Sequence, residues 1–225
     1  MRATQLRLAI LISGRGSNMA AIARACLEQR IHATVARVIS DRPSAAGIEL
    51  ARGLGLNTEV VVAKEFPDRA AFEAALARSI DESGANLVVL AGFMRILSPG
   101  FVAHYYGRLL NIHPSLLPKH KGLHTHRNVL LARDREHGSS VHFVTDELDG
   151  GPVICQSRFS VHAADSEQSL EARILELEHR IYPQAIDLIA SGRLELHDDT
   201  ILLDGKVLTQ PLLEDADHGA THAVG

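Results

Sequence analysis

Apolar residues along this chain fall into short blocks parted by glycine, proline and small polar residues, and the blocks alternate between two periods. Residues 6–13, Leu-Arg-Leu-Ala-Ile-Leu-Ile-Ser, form an apolar run with the length of a buried strand. Gly14-Arg15-Gly16-Ser17-Asn18 follows, and a helical stretch then runs to about residue 28. The pattern predicts further strands at 33–40, 58–62, 87–90 and 109–113, with helices at 46–53 and 68–83. In the last of these, Ala71, Phe72, Ala75, Leu76 and Ile80 recur at helix spacing. Such alternation predicts an α/β fold with a doubly wound, mainly parallel sheet flanked by helices. Beyond 113 the pattern loosens to a helix at 124–132, strands at 139–145 and 152–161, and a turn at 146–151. A long helix follows at 167–190, with Leu170, Ile174, Leu177, Ile181, Ala185 and Leu188 on one stripe and Pro183 expected to bend it. A hairpin at 194–208 turning at Asp204-Gly205, and a frayed tail from about 214 to 225, complete the expected architecture. With no repeats and no linker rich in proline, glycine or serine, the 225 residues read as one domain, or one with a small appendage.

The chain is organised around residues 109–119, Leu-Leu-Asn-Ile-His-Pro-Ser-Leu-Leu-Pro-Lys. Strand side chains alternate between faces, so Asn111 and His113 point the same way and Ile112 the other. Pro114 holds His113 extended and cannot continue a ladder. An amide and an imidazole therefore sit together at the carboxyl end of a strand, where open α/β sheets bind ligands.

Two further stretches carry candidate chemistry. The glycines at 13–18 let the backbone approach an anion, and the helix that follows offers free amides and a favourable dipole. Met19 occupies the place of the third glycine of a dinucleotide fingerprint, and no Gly-Lys-Ser/Thr makes a Walker loop. Asp41 could imitate a ribose-binding acid, which keeps a nicotinamide enzyme open. Ser17 and Asn18 suit a phosphate monoester, or they cap the helix. Asp149-Gly150-Gly151-Pro152 places a carboxylate in a turn. If it reaches His113, its charge favours the imidazolium and raises the histidine above its reference of about 6.5. Asn, His and Asp without a nucleophile elbow suggest direct acyl transfer, Ser115 being the nearest hydroxyl.

Composition narrows the classes. A formal charge of −4 argues against a protein that neutralises nucleic-acid phosphates, and the apolar runs fall short of a membrane span. Cys26 and Cys155 read as reduced structural thiols. The 13 histidines include His124/His126 and His137/His142, but none of these makes a zinc-ligand spacing, so no metal is expected. The N-terminus leads directly into a strand without signal-peptide architecture, so a cytoplasmic protein is expected.

With these pieces in order, the chain closely resembles the phosphoribosylglycinamide formyltransferase family, across roughly 6–208. The resemblance rests on Ser-Gly-Arg-Gly-Ser-Asn at 13–18, Leu-Ala-Gly-Phe-Met-Arg-Ile-Leu-Ser-Pro at 90–99 and Asn-Ile-His-Pro-Ser-Leu-Leu-Pro-Lys at 111–119. Gly-Leu-His-Thr-His at 122–126 and Val-His-Phe-Val-Thr-Asp-Glu-Leu-Asp-Gly-Gly-Pro at 141–152 complete it. It implies a Rossmann-like formyltransferase fold and formyl transfer from 10-formyltetrahydrofolate, as co-substrate, to the amine of glycinamide ribonucleotide. It implies that Gly16, Ser17 and Asn18 hold the substrate phosphate and that Glu178 contacts the substrate. It also implies that His113 donates a proton, Asn111 shares the oxyanion and Asp149 raises the histidine. Arg69, Met94, Arg95, Ile96, Leu97 and Asn111 are implied on the folate side. The chain then divides into a phosphate-binding half at 1–108 and a catalytic, folate-binding half at 109–210. Its partners are small molecules, with no nucleic acid and no membrane, and it acts as a monomer or homodimer.

Two departures stand out. Leu175 replaces a commonly polar or basic residue near the phosphate, and His120-Lys121 replaces the usual residues before Gly122. We expect Lys121, His120 or Arg15 to supply the missing contact. Methionyl-tRNA formyltransferase needs a further tRNA-binding domain and more positive charge. Formyltetrahydrofolate deformylase uses water as acceptor and has no use for a phosphate cradle. A non-enzymatic nucleotide sensor needs the cradle but not Asn111, His113 and Asp149 together.

Overall fold

The structure, a computed structural model, describes residues 5–217 and 220–222. The chain forms two compact units, 1–110 and 111–225. In the first, the chain runs β1 (Leu6–Ile12), α1 (Ser17–Leu27), β2 (Ala33–Ser40), α2 (Ala46–Gly53), β3 (Thr58–Val60), α3 (Arg69–Glu82), β4 (Leu87–Leu90) and α4 (Pro99–His104). The strands lie in the order β4-β1-β2-β3, and every pairing among them is parallel. Residues 8–12 of β1 are all fully buried, as a central parallel strand must be. Strand β3 is shorter than the expected 58–62, because the chain turns into a 3-10 segment at Ala63–Glu65. The Asp68 carboxylate accepts from the Ala71 amide and starts α3. Helix α4 was not anticipated from periodicity because six residues hold too few turns to show any. Its signal was local: Ser98 caps the Phe101 amide and proline stands in the first turn.

The second unit begins within β5 (Leu109–His113) and continues with α5 (Thr125–Ala132), β6 (Glu136–Phe143), β7 (Val153–Ser160) and α6 (Glu167–Ala190). Then come β8 (Leu194–His197), β9 (Thr200–Leu203), β10 (Lys206–Val207), β11 (Leu212–Asp215) and β12 (Ala220–His222). Here the order is β5-β6-β7-β11-β12, with β6 and β7 antiparallel and β7 and β11 parallel. Both β6 and β7 begin and end off the expected limits by up to three residues. Between Val141 and His142 the register against β7 shifts, with Ile154 of β7 as the extra residue of a bulge. Val129 of α5, Phe159 of β7 and Leu170, Ile174 and Leu177 of α6 form one buried cluster. Ser166 and Ser169 close a capping box at the start of α6, whose helical assignment continues through Pro183.

Two expectations need correction. The region 194–208 is a three-stranded antiparallel sheet, not a simple hairpin. Asp198 and Asp199 take positive φ, 45° and 61°, and make an additional turn between β8 and β9, while the anticipated turn at Asp204-Gly205 is present and joins β9 to β10. Residues 214 and 215, assigned to a frayed tail by their polarity, belong to β11. Asp215 is gripped there by Arg158 at 3.1 Å, and Asp217 accepts from the Ser160 amide at 2.8 Å. Polar side chains do not prevent a strand when ladders on both sides satisfy its backbone. The remainder of that tail at 218, 219 and 223–225 lies outside the described residues. None of the described helices is long and apolar enough to cross a membrane.

Candidate active site

In the first unit the loop after β1 is built from backbone. Gly16 is the N-cap of α1 in a left-handed conformation, φ 75°, and no side chain caps the helix. Ser17 and Asn18 therefore stand in the first turn rather than closing it, leaving first-turn amides available to an anion. The loop is pressed against α2. The Gly47 amide donates to the Gly14 carbonyl at 3.0 Å, and a Cβ on Gly16 would lie 2.7 Å from the Gly47 Cα. A Cβ on Gly47 would lie 2.6 Å from the Ile12 side chain, so each glycine excludes a side chain from the other's place. Gly47 escaped sequence reasoning because its partner is 31 positions away, and its one signal was a glycine inside a helix.

Residues 94–98 in the same unit are held by four tethers. The Met94 amide donates to Ser13 Oγ at 2.9 Å, and Arg95 Nε donates to the buried Asp41 carboxylate at 2.5 Å. Arg69 Nη2 donates to the Ile96 carbonyl at 2.7 Å, and its Nε to Glu73 at 2.9 Å. Glu73 also receives the Ser98 amide at 2.9 Å and the Ser98 hydroxyl. These donors hold the Glu73 carboxyl below its ordinary value against the opposing effect of burial. Met94 and Ile96 are left 63% and 72% exposed, apolar side chains presented rather than packed. Arg95 is turned onto Asp41, with its guanidinium 5.2 Å from the Phe72 ring. Asp41 is 3% exposed and bonded through Oδ2 to Arg95, which counts against the ribose-binding role of a nicotinamide enzyme.

In the second unit the end of β5 carries Asn111, partly buried, and His113, 6% exposed. The Asp149 carboxylate reaches the ring: its Oδ2 lies 3.4 Å from His113 Nδ1. Asp149 holds a positive φ of 48° in the turn. Gly151 allows that turn to close, since a Cβ there would stand 1.9 Å from the Phe143 carbonyl oxygen. On its other nitrogen, His113 donates from Nε2 to the His120 carbonyl at 2.9 Å, because a carbonyl can only accept. The Gly122 amide donates to Asp149 Oδ2 at 2.9 Å.

His142, considered from sequence only as a metal ligand, is another residue that sequence reasoning missed. Its Nδ1 donates to the Phe143 carbonyl at 2.8 Å, so Nε2 is the acceptor and receives the Asn111 amide at 3.2 Å. Burial pushes this imidazole below its ordinary value and keeps it neutral, as the acceptor role requires. Asn111 is thus oriented by a neutral histidine two positions along β6 from Ser140, which ties the 115–117 backbone through its own hydroxyl. The available signal was the alternation Gly138, Ser140, His142 on one strand face.

Other expectations resolve individually. Ser115 is fully buried and donates to the Lys119 carbonyl at 2.7 Å, which makes it structural. Glu178, which the resemblance places against the substrate, is 5% exposed on α6 with Ser139 Oγ 3.5 Å away. It lies four residues after Ile174 and three before Ile181, on the buried stripe of the helix itself. His120 pairs with Asp134 at 2.7 Å and Lys121 with Glu147 at 2.6 Å, so both side chains are engaged within the protein. Both cysteines are free thiols, with Cys155 buried and pushed up to about 12.

An acid–imidazole pair and an oriented amide stand together at a strand end, an arrangement whose chemistry suits acyl transfer. The formyl transferase family model matches residues 6–186, and the chain belongs to that family. The phosphoribosylglycinamide formyltransferase of Escherichia coli K12 is 53% identical over 203 residues, 90% of this chain and 96% of that one. The phosphoribosylglycinamide formyltransferase of Coxiella burnetii, solved with CHES, superposes with a TM-score of 0.87 at 45% identity, over 92% of this chain and 97% of that one. The human trifunctional purine biosynthetic protein adenosine-3 is 39% identical over 193 residues, 86% of this chain and 19% of its own length.

Proposed function

We propose that this protein transfers the formyl group of 10-formyltetrahydrofolate to the amine of glycinamide ribonucleotide, giving formylglycinamide ribonucleotide and tetrahydrofolate in purine biosynthesis. Family membership and the similarity to phosphoribosylglycinamide formyltransferases support the reaction. The observation that carries the chemistry is the Asp149 carboxylate 3.4 Å from His113 Nδ1, on the strand end that also bears an oriented Asn111. The amine lone pair attacks the formyl carbon and the carbonyl becomes an oxyanion. Asn111 donates an amide hydrogen to that oxyanion, and the His113 imidazolium, its Nε2 hydrogen held by the His120 carbonyl, donates a second from Nδ1. The nitrogen–formyl bond to the folate then breaks as the folate nitrogen gains a proton through His113, and the attacking amine loses one, so the proton count closes. Asp149 holds the ring and offsets its positive charge. No acyl-enzyme is needed, consistent with a Ser115 hydroxyl bound to backbone and a buried Cys155.

In this reading Gly16, Ser17 and Asn18 hold the substrate phosphate and Glu178 contacts the ribonucleotide. Arg69, Met94, Arg95, Ile96 and Leu97 form the folate-side loop, with Met94 and Ile96 as its contact residues. Arg69 acts by holding the Ile96 carbonyl, and Arg95 by its bond to Asp41. The enzyme acts in the cytoplasm on small molecules. Purified protein incubated with formyl-folate, with and without glycinamide ribonucleotide, tests the assignment: folate turnover is expected only with the ribonucleotide. Turnover without it would indicate deformylation, and none under either condition would leave a binding protein.

A further inference from the structure

The two groups assigned to proton handling are both held by one irregular segment, residues 119–122. The His120 carbonyl receives the His113 Nε2 hydrogen at 2.9 Å, and the Gly122 amide donates to Asp149 Oδ2 at 2.9 Å. A displacement of this segment therefore moves the ring and its carboxylate partner together. No helix or strand stabilises the segment. His120 itself takes a left-handed conformation, φ 52°, which a residue with a side chain adopts only where its surroundings enforce it. Reverting that φ would swing its carbonyl off His113.

The buried Ser115 hydroxyl donates to the Lys119 carbonyl at 2.7 Å, and three unequal ion pairs hold the rest of the segment. Lys119 reaches Asp134 at 3.4 Å with 67% of its side chain exposed, and Lys121 reaches Glu147, which is 68% exposed. Exposed pairs of this kind contribute little once screened by solvent. His120 Nε2 meets Asp134 Oδ2 at 2.7 Å, and both side chains are only 18–20% exposed. This hydrogen bond is also the largest influence holding the Asp134 carboxyl below its ordinary value. Asp134 follows Arg133, the left-handed residue ending α5, so it is carried by a helix docked in the buried cluster of this unit.

We propose that Asp134 is a positioning residue: by anchoring the His120 side chain to the end of α5, it holds the 119–122 backbone as a bracket that sets the orientation of His113 against Asp149. The inference rests on the assignment of His113 and Asp149 to the transfer step, and it adds a residue that reaches the site only through the backbone of position 120. It also gives the departure at position 120 a purpose, since a histidine can occupy the left-handed region and reach Asp134 from it.

The test uses Asp134→Asn and, in case that variant fails to fold, His120→Asn, whose side chain tolerates positive φ but does not reproduce the imidazole–carboxylate pair. The first readout is the long-range proton–nitrogen spectrum of the imidazoles in the unliganded protein. The His113 ring signals are expected to shift in either variant. The second is kinetics: kcat is expected to fall about tenfold with both KM values within about twofold, inside the roughly 10²-fold cost of a 1 Å misplacement. The double variant is expected to lose no more than the worse single one. Unchanged His113 ring signals in either folded variant, or shifted signals with wild-type kcat, overturn the proposal. Absence of formyl transfer in the wild-type protein would sink the functional reading alone and leave the ring spectrum to decide the bracket.

Discussion

The glycine loop after β1 and the strand end at Asn111–His113 are built on opposite principles. The loop is a shape made by missing atoms: Gly16 and Gly47 approach until no Cβ fits between them, and no side chain caps the helix that follows. The strand end is a shape made by added atoms, since Asn111, His113, His142 and Asp149 each lend a side chain oriented by another. One region should fail when atoms are added and the other when they are removed, and the kinetic signatures should differ accordingly.

The largest effect is expected from removal at the strand end. His113→Ala and Asp149→Ala should each lower kcat by about 10²–10⁴, the usual worth of positioned acid–base groups, with much smaller changes in KM. Steady-state kinetics in both substrates checks this, and a near-wild-type kcat for the Asp149 variant would refute its role. Addition in the loop comes next. Gly16→Ala demands a Cβ 2.7 Å from Gly47 Cα at φ 75°, and is expected to raise the ribonucleotide KM about tenfold or more while kcat changes less. An unaltered KM in a folded Gly16→Ala protein would show that the loop does not bind the phosphate. Glu73→Ala removes the acceptor that joins Arg69 to the Ser98 backbone. It is expected to cost about 1–3 kcal/mol through unsatisfied partners and to raise the folate KM selectively. Denaturant melts and folate titrations read the two effects separately.

A smaller effect separates the regions by pH. Burial pushes His137 down to about 3, and also depresses His126 and His142, all in the second unit. A histidine depressed in the folded state leaves the unfolded chain as the better proton binder below about 6.5. Stability is therefore complete above that pH and lost as pH falls from about 6.5 toward 3. Thermal melts of His137→Phe between pH 7 and 4.5 should show a shallower loss than the parent, whereas Gly16→Ala should keep the parental slope. The smallest change is expected for Lys121→Ala, which removes a pair whose glutamate is 68% exposed. Substrate KM values should stay within about twofold, and a large rise would restore Lys121 as a phosphate contact.

The fold of the first unit was legible because a buried parallel strand writes its burial as an unbroken apolar run, and residues 8–12 do so. Helix α4 was not, being too short to repeat. The turn at Asp198-Asp199 hid for a different reason: two aspartates favour a turn without announcing that both adopt positive φ. For the site, the candidates Asn111, His113 and Asp149 came from strand alternation, turn chemistry and resemblance, all of them local or inherited. His142, Asp134, Glu73 and Gly47 act through partners 20 or more positions away, or, for Asp134, through a backbone carbonyl. No periodicity encodes such contacts.

The sequence alone determined the element order, the side-by-side amide and imidazole at a strand end, and the glycines that keep a loop bare, because each depends on neighbouring residues and backbone sterics. Tertiary structure decided which carboxylate meets which imidazole, that Arg95 turns onto Asp41 instead of outward, and that Glu178 is buried. Those are outcomes of packing, in which a polar group settles wherever a distant segment satisfies it at the least desolvation cost. Asn111 and His113 were visible as a pair from the start; what orients each of them was not.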